Sequence, residues 1–247
     1  MSYTANIMEI FSSLQGEGSY AGTPTTFVRF AGCDVGCRWC DTPQASKFQE
    51  SCRIESPPGS ENFKEILNPV TPTKLNEIIS GFKNEHLSVT GGEPLLQAQF
   101  LAEWLSTQVP MHRVLLETSG LHCNALLQVL PYIHIISMDL KLPSSTGLKP
   151  MWKEHGEFLR IALRQSKEIY IKIVLTSRTT DRDLQEAIRL ITHTNKFLPV
   201  ILQPASPTLT FHETLAENRL SSLNRIFSAY LPNVSVTPQM HKEWDIL

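Results

Sequence analysis

The chain has 247 residues, 22 basic against 24 acidic side chains for a formal charge of -2, and 41% hydrophobic against 19% charged residues. These figures exclude an overall basic nucleic-acid binder and a chain disordered throughout, and the length suits one α/β domain. No run reaches the roughly 18 apolar residues of a membrane span, and the start lacks the basic and apolar regions of a secretory leader, so a cytoplasmic protein is expected.

Residues 25–32 are β-prone, and three cysteines begin where that strand ends. Residues 47–72 are rich in Ser, Pro, Glu and Asn and contain Pro57-Pro58-Gly59-Ser60, which predicts an inserted surface loop within a single domain spanning 1–247. Helix and strand patterns then alternate: a helix over 73–82, with Leu75, Ile78, Ile79 and Phe82 on one face, and a strand over 86–90 ending in Gly91-Gly92. A helix over 95–109, a strand over 113–117, a helix over 124–130 and a strand over 133–140 follow. The series continues with a helix over 154–165, a strand over 169–175, a helix over 181–192, a strand over 199–202 and a helix over 212–230, before the short β-prone 234–236. Counted from Phe27, six strands interleaved with helices specify a mostly parallel sheet, and the chain has no room for a complete eight-strand barrel. Function in such sheets gathers at the carboxyl ends of the strands.

Five cysteines is an odd number, and Cys33, Cys37 and Cys40 are crowded as C-x-x-x-C-x-x-C, which in a reducing compartment points to metal ligation and not to disulfides. Three thiolates on a tight loop can hold three irons of a four-iron, four-sulfur cube and leave the fourth iron open to an exogenous ligand. The alternative from another class is a non-enzymatic zinc-binding interaction module, its four ligands completed by Cys52 or a histidine. Against it, no second C-x-x-C pair is present. Cys52 and Cys123 are read as bystanders, His122, His134 and His193 show no ligand spacing, and Leu220, Leu223, Ile226 and Phe227 form the core face of one helix.

Ala31-Gly32-Cys33-Asp34-Val35-Gly36-Cys37-Arg38-Trp39-Cys40-Asp41-Thr42, with Gly91-Gly92-Glu93-Pro94 after the next strand, resembles the radical S-adenosylmethionine (SAM) superfamily. The resemblance implies a partial (βα)6 barrel, a 4Fe-4S cluster on Cys33, Cys37 and Cys40, and SAM chelated to the open iron. One electron then cleaves SAM, and a 5'-deoxyadenosyl radical removes a substrate hydrogen. Trp39 occupies the aromatic position that flanks the adenine, and the glycines allow the strand end to approach the SAM amino group.

Leu14-Gln15-Gly16-Glu17-Gly18 ahead of the first strand, Ser88-Val89-Thr90, Leu116-Glu117-Thr118-Ser119-Gly120, Asp139-Leu140-Lys141-Leu142-Pro143-Ser144-Ser145, Leu202-Gln203-Pro204 and Pro238-Gln239-Met240-His241-Lys242 further resemble the 7-carboxy-7-deazaguanine synthase family. Its members contract 6-carboxy-5,6,7,8-tetrahydropterin to a deazapurine with loss of ammonia, on the route to queuosine. The resemblance implies that Leu14, Gln15, Gly16, Thr90 and His241 meet substrate and that Arg29 pairs with its carboxylate, for which a guanidinium fork is suited. It implies SAM contacts from Trp39, Gly92, Glu117, Ser137, Asp139, Lys141 and Gln203, and a magnesium ion (Mg2+) on the Thr42 hydroxyl. As partners it implies a flavodoxin- or ferredoxin-type electron donor and a homodimer, with no nucleic acid and no membrane. A second enzymatic reading is a glycyl-radical-enzyme activase, since those activases share the cysteine spacing; the Leu14–Gly18 segment and Arg29 favour a small carboxylated substrate instead.

Overall fold

A computed structural model describes residues 3–165 and 167–246. The strands are β1 (Ile7–Leu14), β2 (Pro24–Phe30), β3 (Ser51–Glu55), β4 (Phe63–Leu67), β5 (His86–Gly91), β6 (Arg113–Thr118), β7 (Ile135–Asp139), β8 (Glu168–Leu175), β9 (Val200–Pro204) and β10 (Val234–Val236). They form one sheet in the order β10-β9-β8-β7-β6-β5-β2-β1-β3-β4. The six expected strands are β2 and β5 to β9, adjacent and parallel throughout, with β10 parallel to β9 at one edge. The helices are α1 (Pro72–Ile79), α2 (Ala98–Leu105), α3 (Cys123–Val129), α4 (Pro143–Thr146), α5 (Trp152–Arg164), α6 (Asp181–Asn195), α7 (Glu217–Ser228) and α8 (Met240–Glu243). No described helix is long and apolar enough to cross a membrane.

Two expectations are corrected. Residues 47–72 are not a surface loop: they hold the hairpin β3/β4, whose first strand pairs in parallel with β1 and extends the sheet. Cys52 and Ile54 point into the core, whereas Arg53 lies over the Phe63 ring at 4.3 Å, so the alternation of a half-buried strand was masked by its polar outer residues. Pro57-Pro58-Gly59-Ser60 makes the turn between the strands, and the buried Glu55 carboxylate accepts from the backbone N–H groups of Ser12 and Glu61 at 2.9 and 2.8 Å. The helix expected over 212–230 begins only at Glu217; 205–216 is irregular, following Pro204 and Pro207. Leu223 and Phe227 are fully buried on its core face, with Leu220 and Ile226 packed beside them.

The strand pattern itself places a ligand site. In β8, Ile169, Ile171, Ile173 and Leu175 face the helical layer and belong to the main core. The alternate residues face the concave side, where Leu115, Ile135, Tyr170 and Ile201 form a second small apolar cluster closed by Tyr20. Two residues further along the same strands stand Glu117, Ser137, Lys172 and Gln203. The concave face thus turns from apolar to polar toward the carboxyl ends of its strands, where a bound ligand would find polar partners.

Candidate active site

Every residue expected above to meet substrate, SAM, the cluster or magnesium lines a single cavity of about 360 Å3 on this concave face. It receives Cys33, Cys37, Cys40 and Thr42 from the loop after β2; Leu14, Gln15, Gly16, Arg29, Thr90 and His241; and Trp39, Gly92, Glu117, Ser137, Asp139, Lys141 and Gln203. Its volume is in the range of small-molecule sites, with apolar walls around convergent polar groups.

The cysteine loop is held at both ends. Gly32 and Cys33 donate to the carbonyls of Ala45 and Ser46 at 2.8 and 3.1 Å, and Cys40 closes a turn onto the Cys37 carbonyl at 3.2 Å. Gly92 reaches it from the end of β5: a Cβ there would stand 2.3 Å from the Gly32 carbonyl oxygen and 2.6 Å from that of Ala45, so only glycine permits the approach. Glu93 turns away into the interior, where it accepts from Thr118 Oγ1 at 2.8 Å, from the Ser119 N–H at 2.8 Å and from its hydroxyl at 2.5 Å, tying the ends of β5 and β6 together.

The donor set fits an iron-sulfur cube. Tetrahedral zinc with Zn–S bonds of about 2.3 Å draws its ligands to within about 4 Å of one another. Among the described residues the one group of three potential ligands within 4.8 Å of one another is Glu17, Asp41 and His241, not the cysteines. The wider thiol spacing suits one sulfur per corner of a cube. Cys52 sits in the core on β3 and Cys123 opens α3 beside the Glu154 carbonyl, so neither reaches the loop to complete a zinc site. Burial pushes the Cys37 and Cys40 thiols up, with the Lys141 ammonium drawing Cys37 back toward its thiolate.

Lys141 and Lys172 form the charged floor. Lys141 Nζ lies 2.9 Å from Asp139 Oδ2 and 4.6 Å from the centre of the Trp39 ring. Burial opposes its charge, but Asp139 and Cys37 outweigh that and raise its pKa above the ordinary lysine value. Lys172 Nζ is 2.5 Å from Glu17 Oε2 and 3.5 Å from Asp139 Oδ2 and is held charged in the same way. Burial alone would raise Glu17, yet Lys172, Gln239 and His241 bring it down to about 2. Behind Lys141, the buried His155 ring accepts from the Lys141 N–H at Nε2 and donates to the Gly120 carbonyl from Nδ1, each at 3.2 Å, and burial holds its pKa down at about 4.

Two groupings emerge within the cavity. Glu117, expected on the cofactor side, accepts from Gln15 Nε2 and Ser88 Oγ at Oε1, at 2.9 and 2.8 Å, and from Thr90 Oγ1 at Oε2, at 3.1 Å; it joins the residues expected to meet substrate. Arg29 donates from Nε to Glu9 at 2.8 Å, and neither terminal amino group has a hydrogen-bond partner among the described residues. On the other side, Asp139 Oδ1 and Gln203 Oε1 are buried acceptors with no hydrogen-bond partner among the described residues, open to a ligand's hydroxyl or amino donors. Thr42 Oγ1 lies 3.2 Å from Asp41 Oδ1, a pair of hard oxygens that fits magnesium.

Glu17, Asp41, Lys172 and Gln239 were given no role from the sequence. Gln239 Nε2 donates to Glu17 Oε1 at 2.8 Å and to Asp41 Oδ2 at 2.6 Å, while Met240 N–H donates to the Gly16 carbonyl at 2.8 Å. The segment before β2 and the segment after β10 therefore meet across the open side of the barrel. His241 packs directly on Gly16, where a Cβ would stand 2.5 Å from its own Cβ.

The Radical SAM superfamily model matches residues 27–191. The chain is 37% identical over 247 residues to the 7-carboxy-7-deazaguanine synthase of Geobacter sulfurreducens, covering 96% of each, and 30% identical to that of Methanopyrus kandleri, covering 98% of this chain and 94% of the relative. The crystal structure of QueE from Escherichia coli superposes with a TM-score of 0.64 at 23% identity, over 98% of this chain and 95% of that one, and shares the fold. These matches extend beyond the superfamily core on both sides, and the chain belongs to the 7-carboxy-7-deazaguanine synthase family of radical SAM enzymes.

Proposed function

We propose that the cavity binds 6-carboxy-5,6,7,8-tetrahydropterin and SAM together and converts the pterin to 7-carboxy-7-deazaguanine with release of ammonia. The observation that carries this reading is the partition of the cavity wall: a cationic fork and a carboxylate on one side, and orphaned acceptors beside the cysteine loop on the other. Bound at Cys33, Cys37 and Cys40, the cluster supplies the electron that cleaves SAM and so the radical that removes a substrate hydrogen.

The chain's own residues do the rest. Arg29, oriented through Nε by Glu9, presents its terminal amino groups to the substrate carboxylate. Glu117, fixed by three donors, accepts from the N–H groups of the pterin ring, with Gln15 and Thr90 setting its angle. Lys141 neutralises the SAM carboxylate, and Asp139 Oδ1 and Gln203 Oε1 take donors from its ribose and adenine. Trp39 packs against the adenine, Gly92 leaves room for the amino group, and Ser137 lines the floor between the two ligands. Leu14, Gly16 and His241 close the pterin side, and Thr42 with Asp41 offers oxygens to magnesium next to it. Asp34, Gly36 and Arg38 expose the outer face of the cysteine loop, as reduction by a flavodoxin- or ferredoxin-type carrier requires; the family resemblance adds a homodimer.

The test is anaerobic: reconstituted protein with reductant, SAM, magnesium and the carboxy-pterin is expected to give the deazapurine and ammonia, identified by mass and absorbance. SAM cleavage without deazapurine, accompanied by a radical on an added protein, would support the activase reading instead. Cys37→Ala is expected to lose the cluster's iron, its visible absorbance and all turnover; normal iron content with intact SAM cleavage would overturn the assignment of the cysteines.

A further inference from the structure

Trp39 is the largest side chain on a loop whose residues Asp34, Gly36, Arg38 and Asp41 are exposed, yet its ring is not free. Its indole N–H donates to Ser145 Oγ at 3.1 Å, and Ser145 donates its own hydroxyl proton to the Val174 carbonyl at 2.9 Å. Ser145 is 1% exposed, on α4, and Val174 lies near the carboxyl end of β8. A serine hydroxyl has one proton; once that is committed to β8, only its lone pairs are left, and they can receive only a donor. The indole N–H is that donor, so the hydrogen bond fixes the rotation of the ring as well as its place. The adjacent Arg38 N–H donates to the Thr146 carbonyl at 3.2 Å, so the backbone of the cysteine loop is fastened to the same turn. On its face the ring meets Lys141 Nζ at 4.6 Å, the cation that heads the loop leading into α4.

We propose that Ser145 is a positioning residue for the cofactor: it sets the plane of the Trp39 ring against which the SAM adenine packs, referring a loop-borne aromatic to the rigid sheet through α4. The inference rests on the reading of Trp39 as the adenine's neighbour. It assigns Ser145 no contact with SAM, only control of a residue that has one.

The experiment is a double-mutant cycle on the anaerobically reconstituted holoenzyme, with SAM affinity read by titration calorimetry and turnover read separately. Ser145→Ala is expected to weaken SAM binding roughly threefold to tenfold, the value of one neutral hydrogen bond, and to raise the KM for SAM while kcat and the KM for the carboxy-pterin stay within about twofold. Trp39→Phe, which removes the N–H, is expected to weaken SAM as well, and adding Ser145→Ala to it is expected to cost nothing further. Equal losses from Ser145→Ala in both backgrounds would overturn the inference, since a general packing role acts whether or not the indole N–H is present. A weakened Trp39→Phe with an unchanged Ser145→Ala would overturn it alone, leaving the reading of Trp39 standing. Normal SAM affinity in Trp39→Phe would overturn that reading and the inference with it. Ser145→Cys, which exchanges a strong acceptor for a weak one at similar volume, carries the same comparison where the alanine variant fails to fold.

Discussion

Lys172→Met removes the cation that faces two largely buried carboxylates, Glu17 at 2.5 Å and Asp139 at 3.5 Å, and keeps most of the side-chain volume. Lys172 is the strongest of the groups holding Glu17 down, from its ordinary 4.5 to about 2. That lowering corresponds to about 3 kcal/mol of preference for the charged carboxylate in the folded protein, and breaking a buried pair by deleting one partner costs about 3–5 kcal/mol, so the two routes agree. The pH dependence has a definite sign. A carboxyl lowered by folding contributes its stability in full above its unfolded value near 4.5, and loses it as pH falls through about 2. Urea unfolding followed by circular dichroism should therefore show Lys172→Met less stable than the parent by about 3 kcal/mol at pH 7. The gap should narrow steadily below pH 4.5. A difference under about 1 kcal/mol at pH 7, or one as large at pH 3 as at pH 7, would refute the electrostatic reasoning.

Arg29→Ala should raise the KM for the carboxy-pterin roughly 10- to 100-fold, the range of a charged hydrogen bond, and leave SAM affinity by calorimetry unchanged. A parallel loss of SAM affinity would show that Arg29 shapes the whole cavity. Gly91→Ala should be the most damaging small substitution on the strands: Gly91 has φ +142°, and a Cβ would stand 2.1 Å from the Phe30 carbonyl oxygen, where backbone must move. Thermal unfolding should report a loss above about 3 kcal/mol, and a melting point within a few degrees of the parent would contradict the packing argument.

The parallel half of the fold was legible because each βα unit advertises itself: an apolar run such as Ile169 to Leu175, a polar or glycine turn, then a helical stripe. The mixed edge formed by β1, β3 and β4 was not. In β1, Ile7, Ile10 and Phe11 break strict alternation, and a register shift between Ile7 and Glu9 accompanies that break; in β3 and β4 five-residue strands carry charges outside and prolines between. The cavity's cysteines, glycines and motif polar residues were visible as groups along the chain. Lys172 was hidden because its strand reads as buried on both faces, and only the register opposite Asp139 shows that the lysine points into a polar layer. Glu17 and Gln239 were hidden for a different reason: 222 positions separate them, and no local pattern encodes a contact of that span. Ser145 closed a motif segment but carried no role of its own, since a buried serine on a short helix is ordinary until its two hydrogen bonds are seen.

The meeting of the segment before β2 with the segment after β10 divides the chain by inheritance as well as by geometry. The superfamily core, residues 27–191, carries the cysteine loop and, Gln203 excepted, the residues assigned to SAM. Gln15, Gly16, Glu17, Gln239 and His241 all lie outside it, on two flanking segments that meet through the Gln239 amide and the Met240–Gly16 backbone hydrogen bond and rest on the core through Glu117 and Lys172. Such an arrangement makes the radical-generating machinery portable: new substrates can be reached by rewriting the two flanks together with Arg29, Thr90 and Glu117, with the cysteine loop and the SAM side left alone. Protein engineers could use the same seam, exchanging the flanks as a matched pair, whereas replacing either one singly would leave Gln239 or Glu17 facing a stranger.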